Sequence, residues 1–515
     1  MPAIGASPID TRYIRTTISV SAAGARPIGA KGQVVKNIGK ILLASTAAIA
    51  LCGAAHAADL PVYTKAPPLS SPPPLVSCTS AVQFIVTDCP LTYYGITVYG
   101  TIDMGVGYES HGAPFNKNII SGVTELVQKT SRPTSMWLQT PGGLSQSNIG
   151  IKGREAITSG LDFVFDLNFG FDPYSMTAAN GPKSFLDNNG VPLASQSSNA
   201  DSSRAGQFYN GVGYAGLSSS YGTLTFGRQN SLELDGVLGY DPMGAAYAFS
   251  VIGWQGTAVG GGRTEDARIS TAVKYRVDVG DNLFRLGAIY QVGGYENNNS
   301  TQGEWGVQIG KDFNFGAYGK LSLDAIYTVD KGAVTSSPLT AAQNLLFPGT
   351  IAATISDDNS VMLLAKYTYQ RLKVYGGYEY ITFSNPSTPV TTGFTGIAGI
   401  PFAFADITQT AFAFHDEHLQ IMWTGARYAF TENFDAGIAY YHYDQNSYGK
   451  TFCTTTAAGT CAGTLDAVSF NVDWQFAKKF DLYAGMMYSA VHNGLASGYQ
   501  VFNNFAPTAG LRFRF

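Results

Sequence analysis

Ala509-Gly510-Leu511-Arg512-Phe513-Arg514-Phe515 brings the chain to its last residue with apolar and basic side chains alternating. In an extended strand Ala509, Leu511, Phe513 and Phe515 share one face, and Gly510, Arg512 and Arg514 share the other. Apolar side chains turned outward and arginines turned inward suit a wall between lipid and water. Hydrocarbon offers no partner to an open strand edge, so this strand is expected to pair with the first one and close a barrel.

The interior of the sequence repeats the pattern. From Ile96 to Glu109 the even positions are apolar or glycine, while the odd ones include Thr97, Tyr99, Asp103 and Glu109. Further on, Leu161, Phe163, Phe165, Leu167, Phe169 and Phe171 line one face opposite Asp162, Asp166, Asn168 and Asp172. A soluble sandwich shows such alternation once or twice, but six unbroken apolar positions opposite carboxylates call for lipid. Composition agrees: 13% of the residues are charged, where a globular chain has about 25%. No uncharged apolar run of about eighteen residues occurs outside the N-terminal region, which argues against spanning helices. Sixteen strands can be read, from 94–109 to 505–515. The connections between them alternate long (110–146, 172–206, 230–266, 331–359, 384–416) and short (156–160, 218–221, 431–432, 477–479), as outer loops and periplasmic turns do. The predicted fold is all-β, a 16-stranded antiparallel transmembrane β-barrel. Sixteen strands leave an aqueous channel, whereas eight fill with side chains.

The N-terminal region reads as an export signal at 1–57, its start over-extended. Lys31, Lys36 and Lys40 precede the apolar Ile41 to Leu51, and Ala55-His56-Ala57 has the A-x-A form of a cleavage site. A Pro-rich periplasmic leader (58–91) and the barrel domain (92–515) follow. Removing the signal takes six basic residues and one acidic residue with it, moving the net charge from −4 to −9. A chain this acidic is no partner for nucleic acid. The remaining cysteines, Cys78, Cys89, Cys453 and Cys461, group as two local pairs in an oxidising compartment. Disulfides Cys78–Cys89 and Cys453–Cys461 are expected, with free thiols as the alternative.

Several motifs resemble the general diffusion porins of Gram-negative outer membranes. Val98-Tyr99-Gly100-Thr101-Ile102-Asp103 resembles that family's opening strand, and Asn148-Ile149-Gly150-Ile151-Lys152-Gly153 its "RLGFKG" strand, with Asn148 standing where the family often has an arginine. Gly216 to Gln229, containing Tyr221-Gly222-Thr223-Leu224-Thr225-Phe226-Gly227-Arg228-Gln229, resembles its "GL…fGtltlGRq" hairpin. The leader with its two cysteines is closer to alphaproteobacterial members. The resemblance implies a homotrimer in the outer membrane, in contact with lipid and lipopolysaccharide, with Phe515 as the assembly signal read by the barrel-assembly machinery. It also implies that the third outer loop, Ser231 to Asp266, folds inward and narrows the pore. Glu233, Asp235 and Asp241 would then form an acidic segment facing basic residues across the lumen.

Alternation turns Lys152 and Arg154 inward from the second strand, and Arg268, Lys274 and Arg276 inward from the sixth. Arg228 is carried over from the "GR" motif. Strict alternation places it with Leu224 and Phe226, so it reaches the lumen only if the strand ends or bulges at Gly227. Opposed charges about 8 Å apart at an effective dielectric near 20 interact by roughly 2 kcal/mol, enough to bias ions several-fold without excluding either sign. No Ser/His/Asp set and no cofactor or metal motif is placed. His415-Asp416-Glu417-His418 has H-x-x-H spacing, but it enters a strand where i and i+3 face opposite ways. The expected function is passive diffusion of small hydrophilic solutes and ions through a water-filled pore, the alternative being a solute-selective channel.

Overall fold

The computed structural model describes residues 78–515 apart from 88, 113–132, 141, 172, 175, 177–210, 253–267, 280–283, 293–302, 339–350, 390–403, 498 and 500. The expected export signal and most of the Pro-rich leader lie outside the described residues. Sixteen long strands follow one another in antiparallel pairs. In chain order they are β1 (Ile96–Glu109), β2 (Asn148–Thr158), β3 (Leu161–Gly170), β4 (Gly213–Ser219), β5 (Gly222–Asn230), β6 (Arg268–Val279), β7 (Phe284–Gln291) and β8 (Gly303–Asn314). The second half comprises β9 (Lys320–Pro338), β10 (Ile351–Tyr369), β11 (Leu372–Ser384), β12 (Glu417–Ala429), β13 (Phe434–Gln445), β14 (Gly463–Ala477), β15 (Phe480–Asn493) and β16 (Asn503–Arg514). The last pairs with the first, Thr508 opposite Gly107 and Arg514 opposite Thr101, so the sheet has no open edge. Phe515 and Gly100 then exchange both backbone hydrogen bonds, at 3.0 and 2.9 Å.

Closure gives every strand an inner and an outer face, and the side chains sort accordingly. Met104, Val106 and Leu511 are exposed on the outer face, while Asp103 and Thr508 on the alternate positions are buried. Exposed aromatics gather near the short turns, among them Tyr221, Phe315, Tyr318, Phe430 and Phe476. A second set, including Trp305, Tyr440 and Tyr488, stands nearer the other end. On β8 the two levels are marked by Trp305 and Phe313, with exposed Val307 and Ile309 between them. Eight residues of strand tilted at ~40° rise about 20 Å, close to the height of an outer-membrane apolar band.

Three features depart from the strand pattern expected above. The hairpin of β9 and β10 runs well beyond the expected 318–330 and 360–370, pairing as far as Pro338 and Ile351 after a register shift between Lys331 and Ala333. Beyond the lipid band neither face has to be apolar, so the alternation that marks a strand disappears while the pairing continues. Within the expected outer loops, Met136–Thr140 adds antiparallel to β1 and Phe404–Thr408 adds parallel to the outer end of β10. A short strand, Leu91–Tyr93, extends the sheet ahead of β1.

Two α-helices and two short 3-10 turns, Gly316–Tyr318 and Gly494–Ala496, complete the described structure. The first, α1 (Ala81–Val86), is capped by the Ser80 side chain, which accepts from the Gln83 amide. It lies inside the loop closed by the Cys78–Cys89 disulfide; a second disulfide joins Cys453 and Cys461. Phe84 of α1 meets the rings of Phe513 and Phe515 edge-on at 6.3 and 6.5 Å, and the Lys479 ammonium lies 4.1 Å from its centroid. The disulfide loop is thereby packed against the seam where the barrel closes. The second helix, α2 (Leu232–Tyr240), follows β5 directly.

Candidate pore constriction

Local chemistry explains why the chain turns helical after β5. Ser231 caps α2 by accepting from the Leu234 amide at 3.0 Å, and Glu233 and Asp235 place negative charge in the first turn, where the helix dipole favours it. Asp241 ends the helix. Its carboxylate accepts from the amides of Met243 and Ala245 at 3.2 and 2.7 Å and from the Tyr441 hydroxyl at 2.6 Å, which ties the next turn to β13.

The segment from Leu232 to Ile252 carries much of the buried apolar surface of the molecule. Leu232, Val237, Phe249, Val251 and Ile252 cluster with wall residues that include Trp423, Tyr441, Tyr443 and Leu465. Those wall positions alternate with the exposed Met422, Tyr440 and Val468, so they belong to the inner face. Polar bonds add direction. The Trp423 indole donates to the Tyr240 carbonyl at 3.1 Å, Lys366 to the Gly239 carbonyl at 2.9 Å and Arg427 to the Pro242 carbonyl at 3.2 Å. The Tyr240 hydroxyl donates to Asp324, which also accepts from Arg285.

At the edge of the same cluster, buried Asp103 accepts from the amides of Leu144 and Ser145 and from the Tyr483 hydroxyl, pinning that turn to the wall. Alternation alone marked Asp103 as inward but carried no sign of this role.

The residues singled out from sequence separate into distinct environments. Asp235 accepts from Lys274 and from Arg276, and from the Asn230 amide at 3.0 Å, so one acid and two bases of the expected set meet along one side of α2. Glu233 is fully buried beside Thr328 and Ser231, and no hydrogen bond of ordinary geometry reaches its carboxylate oxygens. Asp241 is buried in its cap. Lys152 lies 5.0 Å from the Tyr99 ring centroid, and Arg154 donates to Asp162 at 2.6 Å. Arg228 donates to the Gly211 carbonyl at 3.2 Å and to the Ser270 hydroxyl at 2.9 Å. The strand pairing is irregular between Gly227 and Gln229, and Gly227 has φ +123°, where an added Cβ would meet the Gly213 carbonyl at 2.4 Å. Arg268 pairs in register with Asn230. His415 stacks on Phe452 and His418 on Tyr380, so the two histidines have separate partners.

Burial pushes the Glu233 carboxyl up to about 7 from an ordinary 4.5. Between those values the folded protein keeps a proton that the unfolded chain has released. The slope of stability with pH is therefore negative there: stability is greatest below about 4.5, falls as pH rises and levels off above about 7, a total of ~3 kcal/mol. Glu233→Gln is expected to raise the thermal midpoint in detergent at pH 8 and to change it little at pH 4.5. An equal effect at both pH values would show that the buried charge is not the cause.

Residues 44–494 match the family of Gram-negative porins. The chain belongs to that family. The closed sixteen-strand wall of this porin and its membership make it a multi-pass outer-membrane channel for passive diffusion of small hydrophilic solutes and ions. Among solved structures, the anion-selective porin from Comamonas acidovorans is similar over 82% of this porin and 99% of that chain, at 16% identity and a TM-score of 0.53, which supports the fold. OmpT of Vibrio cholerae is similar over 83% and 100% of the two chains, at 13% identity and a TM-score of 0.49. No curated protein matches the porin by sequence.

Proposed function

We propose that Ser231–Ile252 is an outer loop folded into the porin's barrel, that it sets the narrowest cross-section, and that Asp235 sets the charge balance there. The observation carrying this is the position of Asp235, which borders a cavity of ≈ 810 Å³ together with Tyr240, Arg276, Arg285, Lys320 and Lys366. Glu233 and Asp241 are buried behind it, so neither is available to passing ions. Hydrogen bonds donated by wall side chains to the carbonyls of Gly239, Tyr240 and Pro242 and to the Asp241 carboxylate support a fixed position for the segment.

Asp235→Asn frees Lys274 and Arg276 from their shared carboxylate. A unit charge 5–8 Å from the ion path contributes ~0.5–0.8 kcal/mol even at the dielectric of water, with opposite sign for the two ions, so the chloride-to-potassium permeability ratio should rise about five- to fifteenfold. Reversal potentials in a KCl gradient read this directly, and an unchanged value removes Asp235 from the constriction. Family membership also supports a homotrimer, testable by the mass of the detergent-solubilised particle.

A further inference from the structure

We propose that the inner wall beside the C-terminal end of α2 carries a binding site for small multivalent anions of the phosphate type, formed by Lys366, Lys373, Lys320 and Arg285. The inference rests on the reading of this barrel as a water-filled pore and adds a ligand class to it.

Strand register brings these residues together. Lys320, Thr368 and Lys373 lie in one row across β9, β10 and β11, and Ser322, Lys366 and Tyr375 lie in the next. Neighbouring strands are about 4.8 Å apart, so Lys320 and Lys373 stand ~10 Å from each other with Lys366 diagonal to both. All face inward: Tyr375, two residues from Lys373, is buried, while the intervening Val374 is exposed on the outer face. Lys373, Lys320 and Arg285 act on Lys366, as does the Asp312 carboxylate with the opposite sign.

Carboxylates are unevenly shared within this cluster. Asp312 is shared between Arg285 and Lys320, and Asp324 is taken by Arg285 and Tyr240. The other two carboxylates that line the cavity, Asp235 and Asp278, stand with Arg276, and Asp235 is bonded to it and to Lys274. Among the described residues neither Lys366 nor Lys373 has a carboxylate partner; Lys366 donates only to the Gly239 carbonyl and lies 5.0 Å from the Tyr240 ring centroid. Lys366, Lys320 and Arg285 border the same ≈ 810 Å³ cavity, to which Thr368 and Ser322 also contribute hydroxyls; Lys373 stands next to Thr368 in register at its edge. Concentrated ammonium groups with hydroxyl donors and room for a hydrated ion match a compact polyanion. A neutral sugar would find no free aromatic face, since Tyr240 is covered by Lys366.

The site can be tested with single channels in planar bilayers at about 0.1 M KCl, where screening still leaves a ~10 Å range, with inorganic phosphate added at pH 7.5. Phosphate is expected to reduce the chloride current saturably. Lys366→Gln and Lys373→Gln should each raise the half-saturating concentration about sevenfold, the factor that one positive charge ~7 Å from a divalent anion supplies in water. Lys311→Gln is the control: its ammonium lies on the outer side against the Phe284 and Phe313 rings, and its loss should change nothing. A phosphate effect that grows without saturating, or one that the double variant retains, overturns the site while leaving the pore. The absence of any conductance step overturns the channel reading and takes the site with it.

Discussion

Trp423→Ala is expected to turn a steady single-channel current into one that flickers among levels, with the barrel itself intact. The indole is almost fully buried and its Nε1 holds the last turn of α2 through the Tyr240 carbonyl. Truncating a buried tryptophan costs about 3–5 kcal/mol. At 1.4 kcal/mol per decade, that raises the population with α2 undocked by roughly one hundred- to several thousandfold. The remaining anchors, Lys366 on Gly239 and Tyr441 on Asp241, keep the segment tethered close by, so the expected signature is fluctuation rather than a single wider pore. β12 pairs with its neighbours through its backbone, so heat-modifiable mobility in gels should match the parent protein. A quiet current of parental size would show that the segment does not depend on this contact.

Deleting Phe515 is the other large effect. The residue adds one rung to the closing pair of strands by exchanging two backbone hydrogen bonds with Gly100, and its ring stacks on Phe513 at 5.5 Å and meets Phe84 edge-on. Two hydrogen bonds at about 1 kcal/mol each and two aromatic contacts at ~0.5–1.5 kcal/mol each amount to a substantial part of a seam that no other strand covers. Space at the rung is provided by Gly100, where an added Cβ would lie 2.5 Å from the Phe515 ring and 2.7 Å from the Asn148 carbonyl. Loss of the terminal residue should lower the yield of folded, heat-modifiable barrel while export continues. Parental yield in the deletion would count against a part for Phe515 in closure.

These two sites differ in how far they could be read in advance. The seam was legible because its evidence is local: a terminal strand with one apolar face needs a partner in lipid, and β1 offers the matching pattern. The inner anchor was not. Leu419, Ile421 and Trp423 sit on the inward parity of β12, and Tyr441 and Tyr443 on that of β13, where a wet lumen would take polar groups. With the larger apolar and aromatic side chains on the inward parity and His418, Gln420, Thr424, His442 and Asp444 on the other, alternation alone would turn these stretches of β12 and β13 the wrong way round. The extension of β9 and β10 was missed for the opposite reason, since outside the lipid band a strand needs no apolar face at all.

Strand number, the faces taken along the regularly alternating strands and the closing of the sheet follow from the amino-acid sequence by itself. Each depends only on a two-residue period and on the impossibility of an unpaired edge in hydrocarbon. Which charges remain available in the lumen was decided by tertiary structure alone. Glu233, Asp235 and Asp241 are equivalent as letters in one acidic segment. Their fates diverge because Glu233 is buried against Thr328 of β9, Asp235 meets Lys274 and Arg276 of β6, and Asp241 meets Tyr441 of β13. Lys366 and Lys373 keep their charge without a carboxylate for the same reason: neutralisation depends on where α2 comes to rest against strands more than a hundred residues away, a distance over which no periodicity carries information.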